Sequence, residues 1–296
     1  MPQNKIVDSD FPSLFQVADG TSINSQICYT RLIRADLILL VIGALLSSIT
    51  VENPEIKMWM NIVGAILLLL AFFISLGLRF TRYEKVWYGG RAVAESVKTI
   101  SWRYMTTAEP FSSNLAAADV DQLFTNRLQE ILTERRNLAV DFAENMADQI
   151  SQRMKTVRAL SFADRKEVYL RDRVREQRSW YSTKSGLNRS SEQKFFWFAI
   201  VIQFIAFALA AYQIKNPNAL NLAAVFAAGT TSIFSWMQIR KFQELAQVYA
   251  LTAQELGFVD ARSTAVTNDQ ELSSFVSDSE NAISREHTMW VARRDH

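Results

Sequence analysis

Long apolar stretches alternate with charged stretches along the chain, and this alternation predicts four membrane-spanning helices arranged as two hairpins. The apolar stretches contain no Lys or Arg and cover residues 37–51, 58–78, 195–212 and 220–237. At about 1.5 Å per helical residue they reach roughly 22 to 31 Å, which is close to the thickness of the hydrocarbon layer of a bilayer. Because the alternation typical of strands is absent, the expected fold class is an all-α membrane protein.

The two hairpins resemble each other and predict a tandem repeat. When the first hairpin is laid on the second, Asp36 falls on Phe195 and the two short connectors coincide. Both hairpins enter the membrane from the same side, so the repeat is parallel, with a pseudo-twofold axis along the membrane normal. We expect a first repeat over residues 1–118 and a second over residues 119–296.

The distribution of Lys and Arg predicts the orientation in the membrane. The connectors, residues 52–57 and 213–218, carry only Lys57 and Lys215, and all other basic residues lie beyond the opposite ends of the spans. Lys and Arg accumulate on the cytoplasmic side, so both termini and residues 79–194 are expected there. The formal net charge of +2 is too small to indicate direct binding of nucleic acid.

Outside the spans, apolar residues recur every three or four positions, which predicts a cytosolic helical bundle. The expected helices cover residues 80–105, 119–190, 238–261 and 268–292. Their apolar seams must pack against one another or against another subunit. The positions expected in a seam that stabilises a homo-oligomer are Tyr83, Val86, Val93, Val97, Phe242, Leu245, Tyr249 and Leu256.

Local signals mark helix starts and close approaches. Ser161 is expected to cap one helix, and Asn268 with Glu271 has the spacing of a capping box. Gly89-Gly90 interrupts the first seam, which favours a close approach of two helices over the alternative, a functional hinge.

A basic stretch follows the middle of the chain. Arg171, Arg175 and Arg178 lie on adjoining helical turns and are candidates for an anion site that binds a nucleotide signal. The alternative, a solvated helix face near anionic lipid, is favoured because no Gly-rich phosphate loop accompanies the cluster.

Polar residues form stripes on the third and fourth spans. The candidates for lining a conducting path are Gln203, Asn221, Thr231, Ser235 and Gln238. Polar groups inside a bilayer must find a partner or water, and several of them at different depths suit a narrow wet path. The alternative, slightly favoured, is a packing seam between the two spans, because small and hydroxyl side chains let helices approach closely.

The sequence gives little support for catalysis. His287 and His296 are the only histidines, and they form no cluster with Cys28 or with carboxylates at the spacing of metal ligands. No phosphate loop, dinucleotide fingerprint or nucleophile elbow occurs. We expect neither an enzyme nor a bound cofactor or metal.

Short motifs around both hairpins resemble a known family. The first hairpin is flanked by Phe11-Pro12, Leu14-Phe15, Ala18-Asp19, Ala94-Glu95-Ser96 and Trp102-Arg103-Tyr104. The second is flanked by Arg173-Val174, Trp180-Tyr181, Thr252-Ala253, Glu280 and Ile283-Ser284-Arg285. The order and spacing of these motifs resemble those of the bacterial SLATT proteins. These are two-transmembrane effector domains associated with SMODS nucleotidyltransferases and SLOG sensors.

The resemblance implies a membrane effector of a bacterial conflict or anti-phage system. Such an effector is expected to oligomerise and permeabilise the inner membrane when a partner or a nucleotide signal triggers it, and a synthetase or sensor encoded nearby is the expected partner. The alternative is a non-conducting scaffold that clusters a cytosolic partner through its helices.

Overall fold

The protein is built from helices alone wherever the structure defines it. The computed structural model describes residues 4–134, 149–217 and 220–292. The structure is 86% helical, and no strand occurs among the described residues. The expected all-α class is confirmed. His296, the side chain of His287 and parts of the stretches 119–190 and 213–218 lie outside the described part of the chain.

The helices follow one another with short connections. In chain order they are α1 (Ser13–Ser48), α2 (Pro54–Thr81), α3 (Tyr83–Met105), α4 (Ala117–Glu134), α5 (Gln152–Arg158), α6 (Phe162–Tyr169), a π-helical turn (Leu170–Arg175), α7 (Glu176–Lys215), α8 (Leu222–Arg240), α9 (Phe242–Arg262) and α10 (Asp269–Ala292). Short 3₁₀ turns at Asp8–Asp10 and Ser263–Ala265 complete the described elements.

Three helical stretches are long and apolar enough to cross a membrane, and the protein is a membrane protein. They are Pro54–Met105, Phe162–Lys215 and Leu222–Ala265. The first apolar stretch, within α1 and ending at Ser48, is not among them. Helix α2 begins at Pro54, with the Asn53 side chain accepting from its first amides. A fourth span over residues 37–51 stays a prediction.

The second helix of each hairpin ends in the same unusual way. Arg82, after α2, and Lys241, after α8, both adopt a left-handed backbone conformation, with φ of 51° and 48°. Such a conformation is unfavourable for residues other than Gly. Helix α3 begins directly after Arg82, and α9 begins directly after Lys241. When these two breaks are matched, α2 of the first hairpin and α8 of the second align residue by residue.

The described chain divides into two compact units. The bundle unit comprises Met1–Gln26, Glu84–Thr183 and Tyr249–His296, and the hairpin unit comprises Ile27–Tyr83 and Lys184–Val248. The core of the bundle unit surrounds Trp102, which contacts Phe11 and Tyr169 edge-on, with ring centroids 6.1 and 5.7 Å apart.

In the hairpin unit, α1 and α2 cross closely at two glycines. A Cβ atom on Gly43 would lie 3.4 Å from the Gly64 carbonyl oxygen, and one on Gly64 would lie 3.4 Å from the Gly43 carbonyl oxygen. Small residues allow such approaches between membrane helices. The Ser75 hydroxyl on α2 also donates to Asp36 on α1 at 3.2 Å. These contacts hold the first hairpin together.

Candidate functional site

A buried ion pair joins α10 to the π-helical turn in the bundle unit. The Arg173 guanidinium donates from Nε and Nη2 to the two carboxylate oxygens of Glu280, at 3.0 and 2.9 Å. Both side chains are fully enclosed. Removing two charges from water is costly, so such a pair is stable only when its other donors and acceptors are also satisfied.

Two hydroxyl groups complete the surroundings of the Glu280 carboxylate. Tyr169 Oη donates to Oε1 at 3.0 Å, and Thr99 Oγ1 donates to Oε2 at 2.9 Å. With the two bonds from the guanidinium, the carboxylate accepts four hydrogen bonds, which matches the acceptor capacity of an ionised carboxylate. Glu280 therefore connects α3, α6, the π-helical turn and α10.

A second arm extends this arrangement to α1. Nη1 of Arg173 lies 3.9 Å from Oε2 of Glu95, and within the described residues it is buried without a hydrogen-bond partner. Glu95 pairs with Arg91 at 2.7 Å, and Arg91 pairs with Asp19 at 3.1 Å. We call the series Asp19, Arg91, Glu95, Arg173 and Glu280 the Arg173 network.

The charges of the Arg173 network reinforce one another. Burial disfavours the charged form of Arg173, but the charge and hydrogen bonds of Glu280, together with Glu95 and Tyr169, more than offset this, so the pKa of the guanidinium is raised. Burial, together with the Glu280 charge, raises the pKa of Tyr169 well above its usual value. Glu95 raises the pKa of Arg91. Both guanidinium groups therefore stay charged, and Tyr169 stays a donor, throughout the physiological pH range.

The π-helical turn that carries this arginine is itself unusual. Helices of this type are rare and occur mostly as single turns inside α-helices, frequently at functional sites. Here the turn covers Leu170–Arg175, and α7 begins at the next residue. The buried Asp172 carboxylate accepts a hydrogen bond from the Ile6 amide at 3.0 Å and two from Arg171. The turn is thus held both by the Ile6 backbone and by its own Arg171 side chain.

Helix caps of the predicted kind position the flanking elements. Ser161 Oγ accepts from the amide of Asp164 at the start of α6, and the Asn268 side chain accepts from the amide of Glu271 at 2.9 Å at the start of α10. The Glu271 carboxylate also accepts from the Thr267 amide at 2.7 Å. Both predicted caps are confirmed.

The predicted anion-binding arginines all have carboxylate neighbours. Arg171 forms two hydrogen bonds to Asp172, at 2.6 and 2.8 Å. Arg175 donates to Asp260 at 3.1 Å, and Arg178 lies 4.0 Å from the same carboxylate. An incoming anion would have to compete with these carboxylates. The anion site stays a prediction.

Two of these arginines line a surface groove beside an indole ring. The groove has a volume of about 730 Å³ and is lined by Arg171, Arg175, Lys5, Trp180 and Thr183, among others. Cationic side chains next to an aromatic face are suited to a nucleotide. Lys5, however, is paired with Glu176 at 2.9 Å, so the groove presents paired rather than free charges.

The predicted pore-lining residues lie on α7 and α8 or beside them. Gln203, in the middle of the apolar part of α7, is exposed and has no polar partner among the described residues. Thr231 is also exposed and donates to a carbonyl of its own helix, and Ser235 is half-buried. Asn221 and Gln238, near the two ends of α8, are exposed. Whether these residues line a path stays a prediction.

Several predicted seam residues lie in the core of the bundle unit. Val93 and Val97 on α3 are buried there, and Val86 packs against the same cluster. Contacts within the chain account for this burial. A subunit interface at these residues would therefore require the bundle unit to open.

The remaining seam residues are divided between the two units. Leu256 is buried against Tyr181, and Tyr249 packs beside them. Phe242 stacks on Phe195 with ring centroids 5.6 Å apart. Tyr83 and Leu245 are half-buried. The role of all these residues in an oligomer stays a prediction.

The pairing of Arg173 with Glu280 was not predicted from the sequence. A usable signal was present on α10, where Val276, Glu280 and Ile283 follow seam spacing and so place a carboxylate among apolar residues. A charge at such a position predicts a buried partner, but it does not say which residue the partner is. No group of three or more His, Cys, Asp or Glu side chains able to hold a metal ion occurs in the part of the chain that the structure describes.

Two family models match the chain, one after the other. The model of the SMODS and SLOG-associating 2TM effector domain 3 matches residues 12–166, and that of domain 1 matches residues 169–290. No curated protein and no solved structure shows a significant match. The Arg173 network contains residues from both matched segments, because Asp19, Arg91 and Glu95 belong to the first and Arg173 and Glu280 to the second.

Proposed function

The chain belongs to the SLATT family of SMODS and SLOG-associating two-transmembrane effector domains, and from this premise we propose that it oligomerises and permeabilises the bacterial inner membrane when triggered. SLATT domains are effector domains of conflict systems, and this chain carries two of them in tandem. The family and the apolar helices support a membrane as the site of action.

The observation that carries the proposal is the exposed Gln203. A polar side chain at the middle of an apolar span is costly in lipid unless it finds a partner or water. Within one copy of the described chain Gln203 finds neither a donor nor an acceptor. Contact with another copy, or with water in a path between copies, would supply what the single chain lacks.

The small extent of packing around the apolar helices supports assembly. In the three apolar windows only 6 to 11% of the residues are buried within the chain. The rest is available to lipid or to other copies, and helices in membranes associate through packing and hydrogen bonds between their side chains. The hairpin unit therefore has the lateral surface that an oligomer needs.

The Arg173 network is the proposed site at which a triggering signal acts. It joins the two family segments, and its central arginine lies on the π-helical turn directly before α7. The same continuous helix carries Gln203. A partner or nucleotide signal that changes the π-helical turn would act on the helix that bears the polar stripe. The expected partner is a nucleotide second-messenger synthetase or a sensor encoded nearby.

Dye release from liposomes tests the proposal. The purified protein is reconstituted at rising ratios of protein to lipid, so that mass action replaces the trigger. Wild type should release the dye steeply as its density rises. Gln203→Leu combined with Thr231→Val should reduce release several-fold without preventing insertion, because the polar side chains on the stripe are lost.

Matched variants separate the stripe from general effects. Gln193→Leu makes the same change on α7 outside the apolar stretch, and Thr230→Val makes it at the buried neighbour of Thr231. Both should release dye as wild type does. Full release by the double variant would assign the stripe to packing alone. No release by wild type at any density would reject permeabilisation and leave the scaffold.

A further inference from the structure

An apolar groove in the hairpin unit is lined by residues of α1, α7 and α8. It has a volume of about 460 Å³, within the range of pockets that hold small molecules. Ile38 and Ile42 of α1, Phe195 of α7 and Ile233 of α8 form part of its wall. The wall is made largely of hydrocarbon.

Two arginines contact an indole of the groove wall. The Arg34 guanidinium lies 5.1 Å from the ring centroid of Trp236, and the Arg240 guanidinium lies 5.6 Å from it. Both distances are those of cation–π contacts. Among the described residues no carboxylate forms an ion pair with Arg34, and the neighbouring Asp36 accepts a hydrogen bond from Ser75. Arg34 lines the groove and Arg240 contacts the same indole of its wall, so two positive charges lie beside Trp236.

This combination fits an amphiphile with a negative head group. We propose that the groove binds one acyl chain of an anionic phospholipid, with the lipid phosphate between Arg34 and Arg240. Basic pockets between membrane helices are known to hold anionic lipid head groups. The proposal needs the membrane location of the chain, and it holds whether or not the protein forms a pore.

Charge complementarity favours a lipid over a second copy of the chain. An apolar span of a second copy seated in the groove would bring no carboxylate of its own to Arg34. The apolar stretches 37–51, 58–78, 195–212 and 220–237 contain neither Asp nor Glu. A lipid phosphate supplies the missing negative charge at the depth where the hydrocarbon begins.

Gly229 keeps part of the groove open. It lines the groove, and a Cβ atom at this position would meet no atom within 4 Å. A larger side chain therefore fits without displacing the backbone and takes up space that an acyl chain would use. Gly77 on α2 also has no atom within 4 Å of its Cβ position and does not belong to the groove wall, so it provides a matched control.

Native mass spectrometry of the full-length protein, with phosphatidylglycerol or phosphatidylcholine added in detergent, tests the proposal. Wild type should retain phosphatidylglycerol in preference. Arg34→Gln should lower retention of phosphatidylglycerol about five-fold, the effect of one basic residue near anionic lipid. It should lower retention of phosphatidylcholine less, because the choline ammonium offsets the charge of that lipid's phosphate. Gly229→Leu should lower retention of both lipids, because it fills the channel.

The controls are Arg79→Gln, an exposed arginine at the end of α2, and Gly77→Leu, and both should bind lipid as wild type does. Equal retention of phosphatidylglycerol by Arg34→Gln and Arg79→Gln would overturn the proposal. So would unchanged binding by Gly229→Leu, or a change in that variant's oligomeric mass with lipid retention intact, which would assign the groove to a second copy. A phosphatidylglycerol with a photoreactive acyl chain should label the peptide around Trp236 in wild type, and labelling confined to other helices would also overturn it.

Discussion

The Glu280 carboxylate shows how a single residue joins distant parts of the chain. Its partners Arg173 and Thr99 lie 107 and 181 positions away, and all of them are buried. Removing one member of a buried pair leaves the other charge without compensation, which costs about 3 to 5 kcal/mol. Replacing both members by apolar residues removes that penalty.

Arg173→Met should therefore lower the free energy of opening of the bundle unit by about 3 to 5 kcal/mol, because Glu280 keeps its charge without a cationic partner. Arg173→Met combined with Glu280→Leu should recover much of the loss. Hydrogen exchange of the α3 and α10 amides, followed by mass spectrometry, measures the change.

Arg175→Met is the control for this prediction, since Arg175 lies on the same π-helical turn but pairs at the surface with Glu167 and Asp260. Exposed pairs contribute at most about 1 kcal/mol. If Arg175→Met accelerated exchange as strongly as Arg173→Met does, the special role of the buried pair would be refuted.

At the scale of elements, the contact between α3 and α1 depends on Gly90. A Cβ atom there would lie 3.0 Å from the Ala18 carbonyl oxygen and 3.2 Å from the Ser22 Cβ atom. The Ser22 hydroxyl also donates to the Trp87 carbonyl at 2.9 Å, which fixes the spacing of the two helices. The close approach predicted for this glycine is confirmed.

Gly90→Ala should lower the stability of the bundle unit by about 1 to 3 kcal/mol, because backbone atoms of α1 must move to admit the methyl group. Gly20→Ala, on α1, should raise it by up to about 1 kcal/mol, since the position is open and Ala favours helix. Thermal unfolding in detergent, followed by circular dichroism, compares them. Shifts of the same sign for both variants would contradict the steric argument.

Local features of the elements could be predicted from sequence, and distant contacts could not. The caps at Ser161 and Asn268 depend on residues three positions apart, so the pattern alone identifies them. Hydropathy did not locate the end of α1, because Ile49 and Val51 are apolar although the helix stops at Ser48. These β-branched residues and the following Asn53-Pro54 favour an extended chain, which an average over apolar residues does not register.

The candidate site shows the same division. The sequence places Gln203 and Thr231 on polar stripes because a helix repeats every 3.6 residues. It could not show that Gln203 has no partner within the chain, since that depends on which helices surround it. Nor could it join Glu95, Arg173 and Glu280, because periodicity says which face of a helix is buried but not what the face meets.

At the scale of the whole molecule, the orientation in the membrane is the most accessible prediction. Both termini and residues 79–194 should be cytoplasmic, because nearly all Lys and Arg residues lie on that side of the spans. In a Cys28→Ser background, Glu52→Cys should react with a membrane-impermeant maleimide in intact cells, and Ser113→Cys should react only after lysis.

Glu52 and Ser113 suit this comparison because one is exposed in the connector between α1 and α2 and the other lies in the loop before α4. Denatured samples of both variants provide the full extent of labelling. Labelling of Ser113→Cys, but not of Glu52→Cys, in intact cells would show the opposite orientation.

The matching left-handed breaks at Arg82 and Lys241 have a consequence for stoichiometry. They align Thr231 with Phe72 and Ser235 with Leu76, so the polar positions of one hairpin are hydrocarbon in the other. Every copy of the chain contains both hairpins. A closed ring of copies therefore contains an even number of hairpins, in which first and second hairpins alternate. If both hairpins face the axis, polar and apolar helices alternate around the lumen. Such a ring carries only as many hydroxyl groups as a ring of half as many hairpins made from the second hairpin alone.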